Sequence, residues 1–265
     1  MSLRPSGILG PEPSFLVEAD LQRASTRCYQ PIGAYEPGYE PPPAAIWPRY
    51  YTLDQGSLPS CVGQAYADCV HSLVPGVPRA SAVGIWRTAR SYHGRAEEIT
   101  GTYLHWGAEA LERRGWEDYR HGEESLATSR PSLEDELQAH DRRQVRAERR
   151  RIVEPGVAAI QEAVAQGLGV VGAWGISPWF DAITTSSARS PVGEMMVSER
   201  DRGHAMRIVG YWSLADGERR WLVGNSWGHE WGGANTPWGF YPGCWVADDS
   251  AIRARWTAHA IRFVS

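Results

Sequence analysis

The sequence predicts an α+β fold of two lobes, with helices in the first part of the chain and strands in the last part. Apolar residues recur with helical spacing in residues 60–75, 101–115 and 154–167. After residue 167, short runs rich in Val, Ile and Trp alternate with Gly, Pro, Asp and Ser, which is typical of strands. Because helices precede strands instead of alternating with them, an α+β arrangement is favoured over a parallel α/β sheet.

Length and composition suit a globular protein. The 265 residues, 42% hydrophobic and 22% charged, suffice for one large domain or two lobes around a cleft. The formal net charge of -4 gives no reason to expect nucleic acid or an anionic membrane as partner. Since no apolar run has the length of a signal-peptide core or a membrane-spanning helix, we expect a cytoplasmic protein, with association with a virion as an alternative.

Residues 1–36 are predicted to be a proline-rich N-terminal extension, and residues 37–265 the main domain. Nine of the 18 prolines lie in residues 1–50, which excludes a regular helix there. The extension also contains apolar side chains, which are unusual in a solvated tail: Ile8, Leu9, Phe15, Leu16 and Val17. We therefore expect an arm that docks on the main domain, across its groove, or on a protein partner.

The first helix is predicted to begin after Ser60 and to end before Pro75. Turn residues precede it, so Cys61 is expected at the helix N-terminus. Unpaired N–H groups and the helix dipole stabilise a thiolate at such a position. Position alone is weak evidence that Cys61 is catalytic, because most single cysteines are small buried hydrophobic residues.

The second helix is predicted over residues 101–115. Leu104, Ala108 and Leu111 have helical spacing, and Gly115 suits a C-cap. The helical lobe would span roughly residues 50–120, and the β lobe roughly residues 155–265.

Residues 129–152 are polar and charged and are predicted to form a solvated helix, with Ser132 as N-cap. Six arginines between Arg142 and Arg151 are suited to an anionic partner, but acidic residues precede them and a solvated face is the favoured interpretation. A third amphipathic helix follows in residues 154–167.

The strands of the last part are predicted from four apolar or alternating runs. They are LGVVGAWGI (residues 168–176), HAMRIVGYW (204–212), RWLVGNSW (220–227) and HAIRFV (259–264).

Three separated blocks resemble the papain and cathepsin family of cysteine peptidases, in the family's own order. Gln55 and Cys61, with five residues between them, are similar to its glutamine and nucleophile. GHAMRIVGY (residues 203–211) resembles its histidine block. WLVGNSWG (221–228), followed by Trp231-Gly232, resembles its asparagine block. The resemblance covers most of the chain and suggests a bacterial or phage-encoded member.

The resemblance implies a papain-like fold, with a helical N-terminal lobe, an antiparallel β-barrel-like C-terminal lobe and the active site in the cleft between them. It implies a cysteine protease in which Cys61 is the nucleophile and His204 the general base and acid. Asn225 would orient the imidazole, and Gln55 would donate to the oxyanion together with the Cys61 N–H.

Residues that bind a peptide or protein substrate are implied as well. An S2-type pocket is expected near Tyr103, Gly172, Ala173 and Gly203. Trp227, which would cover the Asn–His hydrogen bond, is also expected among the substrate-binding residues. We expect no cofactor and no metal, since the four cysteines lack the spacing of a zinc site or disulfide framework.

Two departures from the family pattern bear on these expectations. Leu58 stands where secreted members carry a disulfide cysteine, which fits an intracellular protein, and Val62-Gly63 replaces the usual tryptophan-alanine. Two alternatives remain at this point. In the first, the chain is not an enzyme but a structural or assembly module of a phage particle or secretion machine. In the second, Cys61 still forms a thioester, but an amine and not water resolves it, as in an acyltransferase, transglutaminase or deamidase.

Overall fold

The computed structural model describes residue 8 and residues 40–92, 101–119, 146–152, 156–183 and 202–264. Most of the predicted extension and residues 129–145 lie outside these ranges, so the division into extension and main domain stays a prediction. Within the described ranges, no helix is both long and apolar enough to cross a bilayer.

Three helices form the first part of the fold: α1 (Cys61–Leu73), α2 (Ala82–Ser91) and α3 (Leu104–Arg114). Helix α1 is buried along nearly its whole length, as expected of a helix that packs on several neighbours. Helix α3 ends at Gly115, whose φ of 68° favours glycine, in agreement with the predicted C-cap.

Seven strands form an antiparallel sheet: β1 (Ala44–Ile46), β2 (Arg146–Arg151), β3 (Gly169–Gly175), β4 (Gly203–Ser213), β5 (Arg219–Gly224), β8 (Cys244–Ala247) and β9 (Thr257–Val264). Their order in the sheet is β2-β9-β3-β4-β5-β8, and β1 pairs with β4. Strands β6 (Ala234–Thr236) and β7 (Gly239–Tyr241) form a separate hairpin.

The sheet separates two apolar cores. Along β4, Ala205 and Val209 belong to the core that contains α1, whereas Met206 and Ile208 belong to the core on the other face. Helix α4 (Ala158–Ala165), a 3-10 helix (Pro178–Ala182) and helix α5 (Asp249–Arg253) complete the second part. The predicted α+β class, with a helical part and a β part, is confirmed.

The solvated helix predicted over residues 129–152 is wrong for its last quarter. Residues Arg146–Arg151 form β2, which pairs in antiparallel register with β9 at the edge of the sheet. Hydrogen bonds to a neighbouring strand outweigh the local helical preference, because strand formation depends on a partner distant in sequence. The sequence analysis also missed α2, which Ser81 caps by accepting from the Gly84 N–H over 2.8 Å.

Candidate active site

The Cys61 thiol lies where the helices meet the sheet. Cys61 is the first residue of α1 and is completely buried, so its predicted position at a helix N-terminus is confirmed. The backbone N–H of Ala205 in β4 donates to Cys61 Sγ over 3.3 Å. Because Ala205 directly follows His204, this hydrogen bond brings the thiol to the part of β4 that carries the predicted base.

His204 and Asn225 form a direct, fully buried hydrogen bond. The distance from His204 Nε2 to Asn225 Oδ1 is 2.6 Å. The Ser226 backbone N–H also donates to Asn225 Oδ1, over 2.7 Å, which identifies the oxygen end of the amide. Since this oxygen only accepts, Nε2 carries the imidazole hydrogen and Nδ1 carries the lone pair that can take a proton. Nδ1 is buried, without a hydrogen-bond partner among the described residues.

Burial lowers the pKa of His204 from its ordinary 6.5 to about 4. The hydrogen bond to Asn225 acts against this decrease, and the positive charge of Arg202 adds to it. The imidazole is therefore neutral near neutral pH, which is the form that accepts a proton.

Aromatic side chains pack around the hydrogen bond between His204 and Asn225. The rings of Trp227 and His204 have centroids 4.8 Å apart and planes at 34°. The Arg202 guanidinium lies 5.7 Å from the Trp227 ring centroid and is held by two hydrogen bonds of 2.6 and 2.8 Å to Asp181. Phe180 packs against the other side of this region, 5.7 Å from Trp227. Trp227 therefore packs on the imidazole, and its role at the site stays a prediction.

Gln55 is buried, and its side-chain amide has a fixed orientation. Nε2 donates to the Leu58 carbonyl over 2.9 Å, and Oε1 accepts from Ser226 Oγ over 2.6 Å. The Gln55 backbone N–H donates to the Ser226 carbonyl over 2.9 Å. These bonds tie the turn that leads into α1 to the loop that carries Asn225. Gly56, with φ of 56°, allows the chain to reverse there.

The residues predicted to bind substrate do not all face one pocket. Gly203 begins β4, and Ala173 faces the same core as Cys61. Gly172 faces the opposite side of β3, where the ring of Trp174 fills the space of a side chain. Tyr103 is half-buried at the N-cap of α3. Contact of these residues with substrate stays a prediction.

One residue of the predicted arm, Ile8, lies against the first residue of β4. Its backbone forms a parallel bridge with Thr102 and an antiparallel bridge with Gly203. Ile8 is 7% exposed. A side chain at Gly203 would collide with Ile8 and with the ring of Trp256, so the close approach requires glycine. Ile8 therefore lies next to the backbone of His204.

The sequence analysis missed two residues that act on the predicted four. Ser226 holds the amide of Gln55, and Arg202 lowers the pKa of His204. Ser226 was noted only as part of the asparagine block. The ion pair of Arg202 with Asp181 joins positions 21 residues apart, and no local pattern predicts it.

A family model described as papain family cysteine protease matches residues 102–236, just over half of the chain. The matched range contains His204 and Asn225 and begins after Gln55 and Cys61. No curated protein sequence matches the chain.

Solved structures of cysteine proteases have a similar fold. Xylellain, a cysteine protease from Xylella fastidiosa, matches with a TM-score of 0.63 and 18% identity, over 100% of this chain and 99% of that chain. Bromelain from Ananas comosus, in complex with the E64 inhibitor, matches with a TM-score of 0.61 and 16% identity, over 84% of this chain and 100% of that chain. Digestive procathepsin L 3 of Tenebrio molitor larval midgut matches with a TM-score of 0.55 and 15% identity, over 89% and 73%.

Proposed function

The chain belongs to the papain family of cysteine proteases and hydrolyses peptide bonds, and we propose that Cys61 is its nucleophile and His204 its general base. One observation carries the proposal. Cys61 Sγ accepts from Ala205 N at 3.3 Å, next to a histidine whose Nε2 is held by Asn225 at 2.6 Å. A thiol, a base and the group that orients the base thus converge from separate segments.

In the proposed reaction, the Cys61 proton moves to His204 Nδ1, and the thiolate attacks the carbonyl carbon of the scissile peptide bond. The negative charge that develops on the carbonyl oxygen is stabilised by the Gln55 amide and the Cys61 N–H. The imidazolium then donates its proton to the leaving amine as the carbon–nitrogen bond breaks and a thioester remains. Water, deprotonated by His204, hydrolyses the thioester, which releases the acid and restores the thiol.

An active-site-directed epoxide tests the assignment of the nucleophile. We expect stoichiometric labelling of Cys61, located by peptide mass spectrometry, and no labelling of Cys69 or Cys244. The Cys61→Ala variant, with an unchanged thermal transition, should neither react nor turn over a fluorogenic peptide. Equal labelling of another cysteine, or wild-type turnover without Cys61, would contradict the proposal. The reaction products, compared with and without an added primary amine, distinguish hydrolysis from acyl transfer. Hydrolysis should release the free carboxylic acid of the substrate under both conditions.

We further propose that the N-terminal arm lies in the substrate groove and competes with substrate. Ile8 supports this proposal, because it pairs with Thr102 on one side and with Gly203, next to His204, on the other. Main-chain pairing to both sides is how a groove holds an extended peptide. An extended substrate at this position would need the space that Ile8 occupies.

Deletion of residues 1–36 tests the competition. We expect KM to decrease, with little change in kcat, because an intramolecular competitor is removed. A synthetic peptide of residues 1–36 should then inhibit the truncated enzyme competitively. Ile8→Glu in the full chain should act like the deletion, whereas the matched Ile8→Val should not. Unchanged KM together with a changed assembly state would show instead that the arm binds a partner.

A further inference from the structure

A buried ion pair links the helix that carries Cys61 to the strand that carries His204. Asp68 of α1 and Arg207 of β4 pair through the carboxylate and Nε, with side chains 0% and 1% exposed. Such complete burial of two charges is rare, because desolvation opposes it. Asp68 lies two helical turns after Cys61 and on the same side of α1. Arg207 lies on the same face of β4 as Ala205.

The same guanidinium holds two further segments of the proposed active site. Nη1 donates to the Asn225 carbonyl over 3.3 Å, and Nη2 donates to the Tyr51 carbonyl over 2.6 Å. The Asn225 N–H donates to the Gly243 carbonyl over 2.9 Å, so both backbone polar groups of Asn225 are held. Tyr51 lies in the segment that leads to Gln55. One side chain of the strand that carries His204 therefore contacts the helix that begins with Cys61, the backbone of Asn225 and the segment that leads to Gln55.

The residues around the Arg207 guanidinium leave space that this group fills. Gly224 is opposite Arg207 in the pairing of β5 with β4 and directly precedes Asn225. A Cβ at Gly224 would lie 2.7 Å from the guanidinium carbon and 2.9 Å from Nε, so the guanidinium takes the place of a side chain. The Tyr50 ring centroid lies 5.1 Å from the guanidinium carbon on another side.

We propose that the Asp68–Arg207 pair is a positioning device for catalysis, which sets the distance between Cys61 and His204 and holds the backbone of Asn225. Neither residue contacts the reacting atoms. The inference rests on the proposed roles of Cys61 and His204. A planar guanidinium with several directed hydrogen bonds defines a single geometry, whereas apolar contacts between a helix and a sheet tolerate small shifts. A shift of about 1 Å between reacting groups can lower a rate about 100-fold.

A paired apolar replacement separates positioning from stability. Asp68→Leu combined with Arg207→Met removes both charges and leaves neither unpaired, which generally preserves or raises stability. We expect a thermal transition near that of the wild type, kcat lower by about 10- to 100-fold and KM within about threefold. The rate at which iodoacetamide alkylates Cys61 should fall together with kcat across the pH range. A purely structural role predicts that kcat recovers once the thermal transition does.

The control is the paired replacement Asp249→Leu with Arg219→Met. It removes a 3.1 Å ion pair between α5 and β5 that contacts none of the proposed residues, and kcat should not change. Wild-type kcat and alkylation rate in the Asp68–Arg207 double variant would overturn the inference. If that variant does not fold, Arg207→Lys decides, because it keeps the charge but loses the planar fork, and wild-type kcat there would overturn the inference as well. Wild-type turnover in Cys61→Ala would refute the proposed nucleophile instead.

Discussion

Two thiols of helix α1 are completely buried, yet their surroundings differ. Cys61 begins the helix and accepts from the Ala205 N–H at 3.3 Å. Cys69, about 12 Å further along the helix axis, packs against β3, where a Cβ at Gly169 would lie 3.0 Å from its sulfur. One thiol lies at a helix end, hydrogen-bonded to the residue that follows His204, and the other lies in a tightly packed apolar contact.

Burial is the largest cause of the shifted pKa values of two other thiols, Cys69 and Cys244. Burial raises the pKa of Cys69 far above its ordinary 9 and that of Cys244 to about 12. Both therefore remain protonated and inert at neutral pH. Burial does not distinguish Cys61 from them, since all three are fully buried. We expect the helix end and the neighbouring imidazole to make the Cys61 thiol reactive.

The largest effect on kcat is expected when each of the two thiols of α1 is removed in turn. Cys61→Ala should lower kcat by at least about 10⁴-fold, because no other group forms the thioester. Cys69→Ala should leave kcat within about twofold and lower the free energy of unfolding by about 1 kcal/mol, through lost packing. Turnover of a fluorogenic peptide and chemical denaturation measure the two effects. A larger loss of kcat in Cys69→Ala would reverse the assignment.

A second prediction compares two buried glutamines. Gln55→Ala should lower kcat by about 10²- to 10³-fold, the usual effect of removing an oxyanion donor. Gln64, also buried, donates to Ser60 Oγ over 3.3 Å from within α1. Gln64→Ala should change kcat by less than about threefold, since it has no proposed role in the reaction. Equal losses in steady-state kcat would mean that Gln55 acts through the fold and not on the oxyanion.

The smallest expected effect concerns the pH dependence. Because kcat/KM requires neutral His204, it should rise with pH through about 4 and level off above it. Arg202 contributes to the low pKa of His204, so Arg202→Gln should move the acid limb to higher pH. Arg219→Gln, the matched control at a similar ion pair, should leave the limb in place. A limb that stays fixed in Arg202→Gln would show that the charge of Arg202 does not contribute to this pKa.

Local sequence patterns predicted much of the fold. The helices expected in residues 60–75, 101–115 and 154–167 are present as α1, α3 and α4, because caps and apolar spacing act within a few residues. Helix α2 was missed. It contains a buried Arg90 and β-branched residues, which weaken the local helical signal.

In strand β2 the sequence analysis predicted a helix where the fold has a strand. Residues Arg146–Arg151 are locally polar, but in the fold they pair with β9 and put Ala147 in the core. Pairing partners more than 100 residues away are invisible to a window of ten or fifteen residues.

The sequence by itself determined which residues are candidates for the chemistry, since the blocks that resemble the papain and cathepsin family contain Gln55, Cys61, His204 and Asn225. Only the tertiary structure decided how they are held. The low pKa of His204 and the ion pair between Asp68 and Arg207 both depend on groups from distant segments. Desolvation and charge pairing arise only when the chain has brought those groups together, because they depend on distance in space and not on position in the sequence.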